Sequence, residues 1–147
     1  RLDGRVHYLA GPGFLDHLTF LGCAPSIELD PPAAGLDAAA RTGRFCHIQV
    51  HPPTPELRVR HRVGQGPRCR ACRGDFPPEA LAQPRDRFIT CPGCGRTTPA
   101  AGLNWRQTGG CARVFLDIWG IHTGEAVPGE QLLERLGSGW RFFYTED

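Results

Sequence analysis

Two Cys-x-x-Cys pairs, Cys69/Cys72 and Cys91/Cys94, stand 18 residues apart and constrain this chain more than any other feature. Each pair sets two thiolates on one side of a tight turn, with Gly74 beside the first pair and Gly93 and Gly95 in the second. Two such turns brought together offer four sulfurs at tetrahedral corners, each about 2.3 Å from a bound metal ion. Four thiolates leave no position for water, so the pattern points to a structural site rather than a catalytic one. Residues 64–98 are rich in Gly, Pro and Cys and poor in apolar side chains, with Phe76, Leu81, Phe88 and Ile89 expected to cover one side. A segment with so little core of its own takes most of its folding free energy from the metal.

The turn Cys91-Pro92-Gly93-Cys94-Gly95 closely resembles the zinc knuckle of zinc-ribbon and rubredoxin-like proteins, and Cys69-Arg70-Ala71-Cys72-Arg73-Gly74 is a looser copy. The resemblance covers residues 67–98 only. It implies a ribbon in which Cys69, Cys72, Cys91 and Cys94 bind one structural Zn²⁺; iron and a pair of redox dithiols are the alternatives. Zinc ribbons serve many unrelated functions, so the resemblance names a module and not an activity. The other cysteines, Cys23, Cys46 and Cys111, make the total odd. That argues against a closed disulfide framework and for a reducing compartment, with the cytoplasm as the expected location. The chain opens on Arg1, which leaves any leader segment untestable.

The rest of the chain reads as α+β: residues 1–66 and 99–147 form one domain, a small mixed sheet with two or three short helices, and 67–98 is a zinc-ribbon insert. Phe14, Leu15, Leu18 and Leu21 recur at helical spacing, residues 26–29 suit a brief strand, and 36–41 suit one or two helical turns. Phe45–His51 and Glu56–Val63 alternate apolar and polar residues around Pro52-Pro53-Thr54-Pro55, which predicts a hairpin. Opposing His51 to Glu56 sets Cys46, Ile48 and Val50 against His61, Val59 and Leu57 on an inward face. The outward face then carries Phe45, His47 and Gln49 against Arg62, Arg60 and Arg58. Beyond the insert, residues 112–121 read as one long strand, 127–136 as a helix and 140–145 as a closing strand, a β-α-β unit.

Charge is segregated. Formal net charge is −3 over residues 1–40, +9 over 41–113 and −4 over 114–147. All 17 basic residues are arginine, which excludes Schiff-base, P-loop and general-base chemistry that needs lysine. Arg58, Arg60 and Arg62 repeat about 7 Å apart along one strand face. Arg68, Arg70 and Arg73 follow on the first knuckle, and no acid interrupts residues 57–74. With Phe45 and His47 alongside, this face is expected to meet an acidic protein partner or, alternatively, single-stranded nucleic acid. Two plainer roles compete: offsetting the negative charge of a four-thiolate cage, and forming an ordinary solvated face.

Catalytic signatures are sparse. Cys46 opposite His61 is the best thiol–imidazole pair, but no third group orients the histidine. Cys23 follows a helix end, and Asp16-His17 and His122 near Glu125 are isolated acid–imidazole neighbours. No HExxH motif or glycine-rich phosphate loop occurs, and no apolar run approaches the ~18–20 residues needed to span a membrane. Trp119, Trp140, Phe142, Phe143 and Tyr144 crowd the C-terminal third, as core or as a docking patch. The expectation is a non-enzymatic accessory or adaptor protein that docks on a larger protein assembly; a nucleic-acid-binding module and a cysteine-dependent enzyme are the alternatives.

Overall fold

The computed structural model describes residues 6–22, 26–31, 45–81, 88–121 and 126–145. Nine short strands are found there: β1 His7–Leu9, β2 Leu18–Phe20, β3 His47–His51, β4 Arg58–His61, β5 Phe88–Thr90, β6 Thr97–Pro99, β7 Gly109–Ala112, β8 Phe115–Trp119 and β9 Ala126–Pro128. Helix is limited to the single turn α1, Pro78–Leu81, the seven-residue α2, Glu130–Leu136, and 3-10 turns at Leu15–His17 and Ala100–Gly102. The expected two or three helices thus reduce to one longer than a single turn among the described residues. Every strand pairing described is antiparallel, so the mixed sheet is corrected to four small antiparallel ones, in the orders β1-β3-β8, β2-β9, β4-β7 and β5-β6. The chain divides into two compact units, Arg1–His51 with Phe115–Phe142, and Pro52–Val114 with Phe143–Asp147.

The predicted hairpin does not form. β3 pairs with β8 on one side and β1 on the other, while β4 pairs with β7. Pro52, Pro53 and Pro55 explain the change. Proline has no N–H for a ladder and biases the residue before it towards extended backbone, which disfavours a tight hairpin turn in this segment. The amide of Thr54 donates to the carbonyl of Arg113 at 3.2 Å, and its hydroxyl donates to the carbonyl of Glu56 at 2.8 Å. Cys46 consequently belongs to the first unit and His61 to the second, and the β3–β4 register that would set them opposite each other is replaced by β3–β8 and β4–β7.

In the first unit residues 47–50 alternate with the reverse of the expected facing, while Cys46, just before β3, is buried as expected. Phe45, His47 and Gln49 are buried, at 0%, 1% and 3% exposure, whereas Ile48 and Val50 are half-buried. Two histidines of this face are held by hydrogen bonds. His47 donates from Nδ1 to the carbonyl of Phe45 at 3.1 Å and stacks on the Phe45 ring, and His51 donates from Nε2 to Asp117 Oδ2 at 2.7 Å. Hydrogen bonding offsets the cost of burying polar groups. Pattern alone misjudged the facing because it assigns histidine and glutamine to water.

Three further local expectations are corrected. Residues 14–21 form a 3-10 turn running into β2 rather than a helix. The long strand over 112–121 is broken at Arg113–Val114 into β7 and β8, which serve different sheets. Residues 140–145 form no strand, so no β-α-β unit exists among the described residues. The helical turns expected at 36–41, together with Cys23, His122 and Glu125, lie outside the described residues.

The second unit has the better apolar core: Phe76, Leu81, Ile89, Ala100, Leu103 and Trp105, together with Cys69 and Cys91. Trp105 donates from Nε1 to the carbonyl of Ala100 at 3.2 Å, which pins the indole. Phe88 is not part of this core and is 58% exposed, because alternation along β5 turns Ile89 inward and Phe88 outward. The C-terminal end closes over β7, with the Tyr144 amide donating to the Gln107 carbonyl at 2.9 Å.

Gly120, just after β8, has φ +76° and lies so close to the Phe45 carbonyl that a β-carbon would overlap it. Gly120→Ala adds left-handed strain to a clash with backbone that has no rotamer to yield, and is expected to cost about 3 kcal/mol or more. Chemical denaturation of this variant, followed by the fluorescence of Trp119, checks the value.

Candidate metal centre

The two knuckles share one hydrogen-bonding plan. In the first, the Cys69 amide donates to the Gly74 carbonyl and the Arg73 amide to the Cys69 carbonyl, both at 2.9 Å. In the second, the Cys91 amide donates to the Arg96 carbonyl at 2.8 Å and the Gly95 amide to the Cys91 carbonyl at 2.9 Å. Each loop therefore closes five residues after its first cysteine, and the fourth position after it adopts a left-handed backbone, φ 61° at Arg73 and 70° at Gly95. Glycine takes that conformation without penalty, whereas arginine does so at a cost of about 1 kcal/mol.

The rest of the unit presses these loops together. β5 and β6 flank the second knuckle in a two-stranded ribbon with Thr90 opposite Thr97. The first knuckle is anchored by Arg68, whose backbone bridges both Asp75 and Asn104 and whose Nε donates to Asp75 Oδ1 at 2.9 Å. The four Sγ atoms then lie within 4.8 Å of one another, with Cys69–Cys94 at 3.8 Å and Cys72–Cys91 at 3.6 Å. These separations suit four sulfurs around one metal ion at thiolate bonding distance, about 2.3 Å from its centre. The first cysteine of each pair is buried and the second exposed, so the cage has one face in the core and one at the surface.

Electrostatics within the cage favour a cation. Backbone amides of Cys72 and Ala71 directed at the Cys69 sulfur lower its pKa to about 6. At Cys72 the Gly74 amide, 3.4 Å from the sulfur, lowers the pKa, but the sulfurs of Cys91 and Cys94 outweigh it and raise the thiol to about 11. Four sulfurs this close cannot all carry charge without a counter-ion, and a divalent ion at their centre removes the repulsion. Because the donors are soft thiolates in a four-fold set, they match Zn²⁺ or iron and not the oxygen-seeking Mg²⁺ or Ca²⁺.

The remaining candidate residues are dispersed. Arg58, Arg60 and Arg62 are all half-buried, and the Arg58 guanidinium donates to the carbonyls of Pro52 and Arg113, both at 3.2 Å. Arg68 is engaged with Asp75, while Arg70 and Arg73 are exposed. Phe45 and His47 are buried in the first unit, whereas the knuckle arginines belong to the second. Burial raises the Cys46 thiol to about 11 and also raises that of Cys111, which keeps both protonated near neutral pH. Sequence reasoning missed the His51–Asp117 pair, whose members are 66 residues apart and meet only through the β3–β8 register. Trp119, Trp140, Phe142, Phe143 and Tyr144 are each half-buried. Comparison with family models, curated proteins and solved structures finds no match.

Arg73→Gly is expected to leave metal content unchanged and to raise stability by about 1 kcal/mol, since it removes left-handed strain without touching a ligand; thermal denaturation of the metal-loaded protein measures it. Iodoacetamide at pH 7.5 is expected to leave Cys46 unmodified in the native protein and to label it in denaturant, as read by peptide mass spectrometry. The sign follows from burial, which penalises the reactive thiolate.

Proposed function

We propose that Cys69, Cys72, Cys91 and Cys94 hold one zinc ion with a structural role, in a non-enzymatic accessory protein that docks on a larger protein assembly. The observation that carries this reading is the double membership of Cys69 and Cys91, which are both cage ligands and core residues, at 2% and 1% exposure. A metal bound there ties the two knuckles to Phe76, Ile89 and Trp105, so its binding free energy becomes folding free energy. Structural zinc sites of this kind supply on the order of 10 kcal/mol at neutral pH, comparable with the entire stability of a small domain. A complete set of four protein donors leaves the ion no position for substrate, which directs the function to the surfaces that the metal supports. Reduced thiolates of this kind suit a reducing compartment, and the cytoplasm is the location this reading favours. No described helix is long and apolar enough to cross a membrane.

Elemental analysis of protein purified without added metal is expected to find about one zinc per chain, from the single four-donor set. Cys91→Ser, or EDTA, is expected to release it and to abolish amide-exchange protection across residues 67–81 and 88–112, while 45–51 and 115–119 keep theirs. Protection that survives metal removal would overturn the structural role. Lowering the pH is expected to release the ion as thiolates take up protons, and zinc retained fully at pH 4 would contradict thiolate ligation. Size-exclusion chromatography of a native extract is expected to place the chain in a stoichiometric complex, and a wholly solitary protein would overturn the accessory role.

A further inference from the structure

Six of the described arginines of the second unit fall into two groups. Arg58 and Arg106 are turned onto backbone carbonyls and Arg68 onto Asp75, so their charges are used within the fold. Arg70 and Arg73 on the first knuckle and Arg96 on the second are exposed, and no described residue bonds to their guanidinium groups. All three flank one cage, because the two knuckles that carry them converge on the same four sulfurs.

Neutralising the cage does not account for them. The second unit holds eleven arginines against six acidic residues, a formal +5. Zinc with four thiolates carries −2, so the loaded unit remains at +3. Arg73 supplies an independent indication: it holds a left-handed backbone at the position where the matching knuckle has Gly95. Arg106 shares that backbone region with its guanidinium on the Gly66 carbonyl, whereas at Arg73 no described side-chain contact accounts for the strain.

An apolar element lies on the ribbon that carries the second knuckle. Phe88 is 58% exposed, on the outer face of the β5–β6 ribbon with Thr90, Thr97 and Pro99. It sits about 7 Å along the strand from Thr90, which adjoins Cys91. Among the described aromatic residues of this unit Phe88 alone is exposed, since Phe76 and Trp105 are buried and Phe143 and Tyr144 half-buried.

We propose that Arg70, Arg73, Arg96 and Phe88 form a docking surface for an acidic segment of a partner protein that also presents an apolar side chain. Guanidinium forks grip carboxylates in bidentate fashion, and Phe88 takes the apolar residue. A nucleic-acid strand is the poorer fit, because it calls for several aromatic faces to stack successive bases and one is present. This surface deepens the accessory-protein reading and rests on it.

The test uses the zinc-loaded full chain and fluorescence anisotropy with three labelled probes: a 12-residue glutamate-rich peptide with one central leucine, the same peptide with glutamine for glutamate, and a 12-nucleotide oligo-dT. The glutamate peptide is expected to bind, to weaken as salt rises, and to outcompete the other two. R70A/R73G/R96A, in which glycine suits the left-handed site, is expected to lower its affinity roughly tenfold or more, with zinc content and amide protection unchanged. Phe88→Ser is expected to weaken the leucine peptide about tenfold and an all-glutamate peptide hardly at all. Wild-type affinity in the triple variant, tighter binding of oligo-dT than of the glutamate peptide, or self-association at low salt that the triple variant loses would each overturn the proposal. A native complex that survives R70A/R73G/R96A removes this surface but not the accessory role. A solitary native protein whose peptide binding depends on these arginines removes that role and leaves the surface standing.

Discussion

Four sulfurs held close enough to share one metal ion are the constraint around which the second unit is organised. Its apolar core consists of Phe76, Leu81, Ile89, Ala100, Leu103 and Trp105 with two of the four cysteines, and that is little burial for a unit this size. Small domains with so modest a core depend on a cross-link or a metal to offset chain entropy. Here the cross-link lies inside the core, since Cys69 and Cys91 are packed among the apolar side chains. Packing and a metal-ligating geometry therefore share the same two residues.

The cage is two-faced, and that asymmetry shapes its use. Its buried cysteines join the core, while Cys72 and Cys94 stand at the surface between exposed arginines. The inner half holds the knuckles at a fixed separation, and the outer half displays their charge. Arg73 belongs to both halves: its amide closes the first knuckle onto Cys69, and its side chain reaches outward. In the proposed reading a ribbon of this build is a rigid mount, on which a bound metal would set the spacing of the two knuckles.

The first unit is organised differently. β3 is the central strand, and its inward face carries His47 and Gln49 beside Phe45. Hydrogen bonds and ring stacking do there what aliphatic packing does in the second unit. Such a face is not legible from hydropathy: alternation in residues 47–51 shows that a strand exists, but which side meets the core depends on partners supplied by β8, more than sixty residues away. The hairpin expectation failed for a related reason. Two alternating runs can always be placed in some register, and only the proline-rich link, whose prolines disfavour a tight hairpin turn, bore on whether they turn back on each other. Phe88 was misplaced for want of one fact, that Ile89 faces the core.

What was readable beforehand was local. The Cys-x-x-Cys spacing, the glycines at the turns and the run of arginines on the first knuckle are encoded within a few residues of each other, because a knuckle closes through hydrogen bonds only five residues apart. Those features alone determined that this chain carries a four-sulfur donor set and that charge is crowded beside it. The tertiary structure decided which strands pair, which face of β3 is buried, which cysteines join the core and which arginines stay exposed. Such outcomes depend on long-range register and on competition between side chains for the same interior space, and neighbours in the chain carry no record of either.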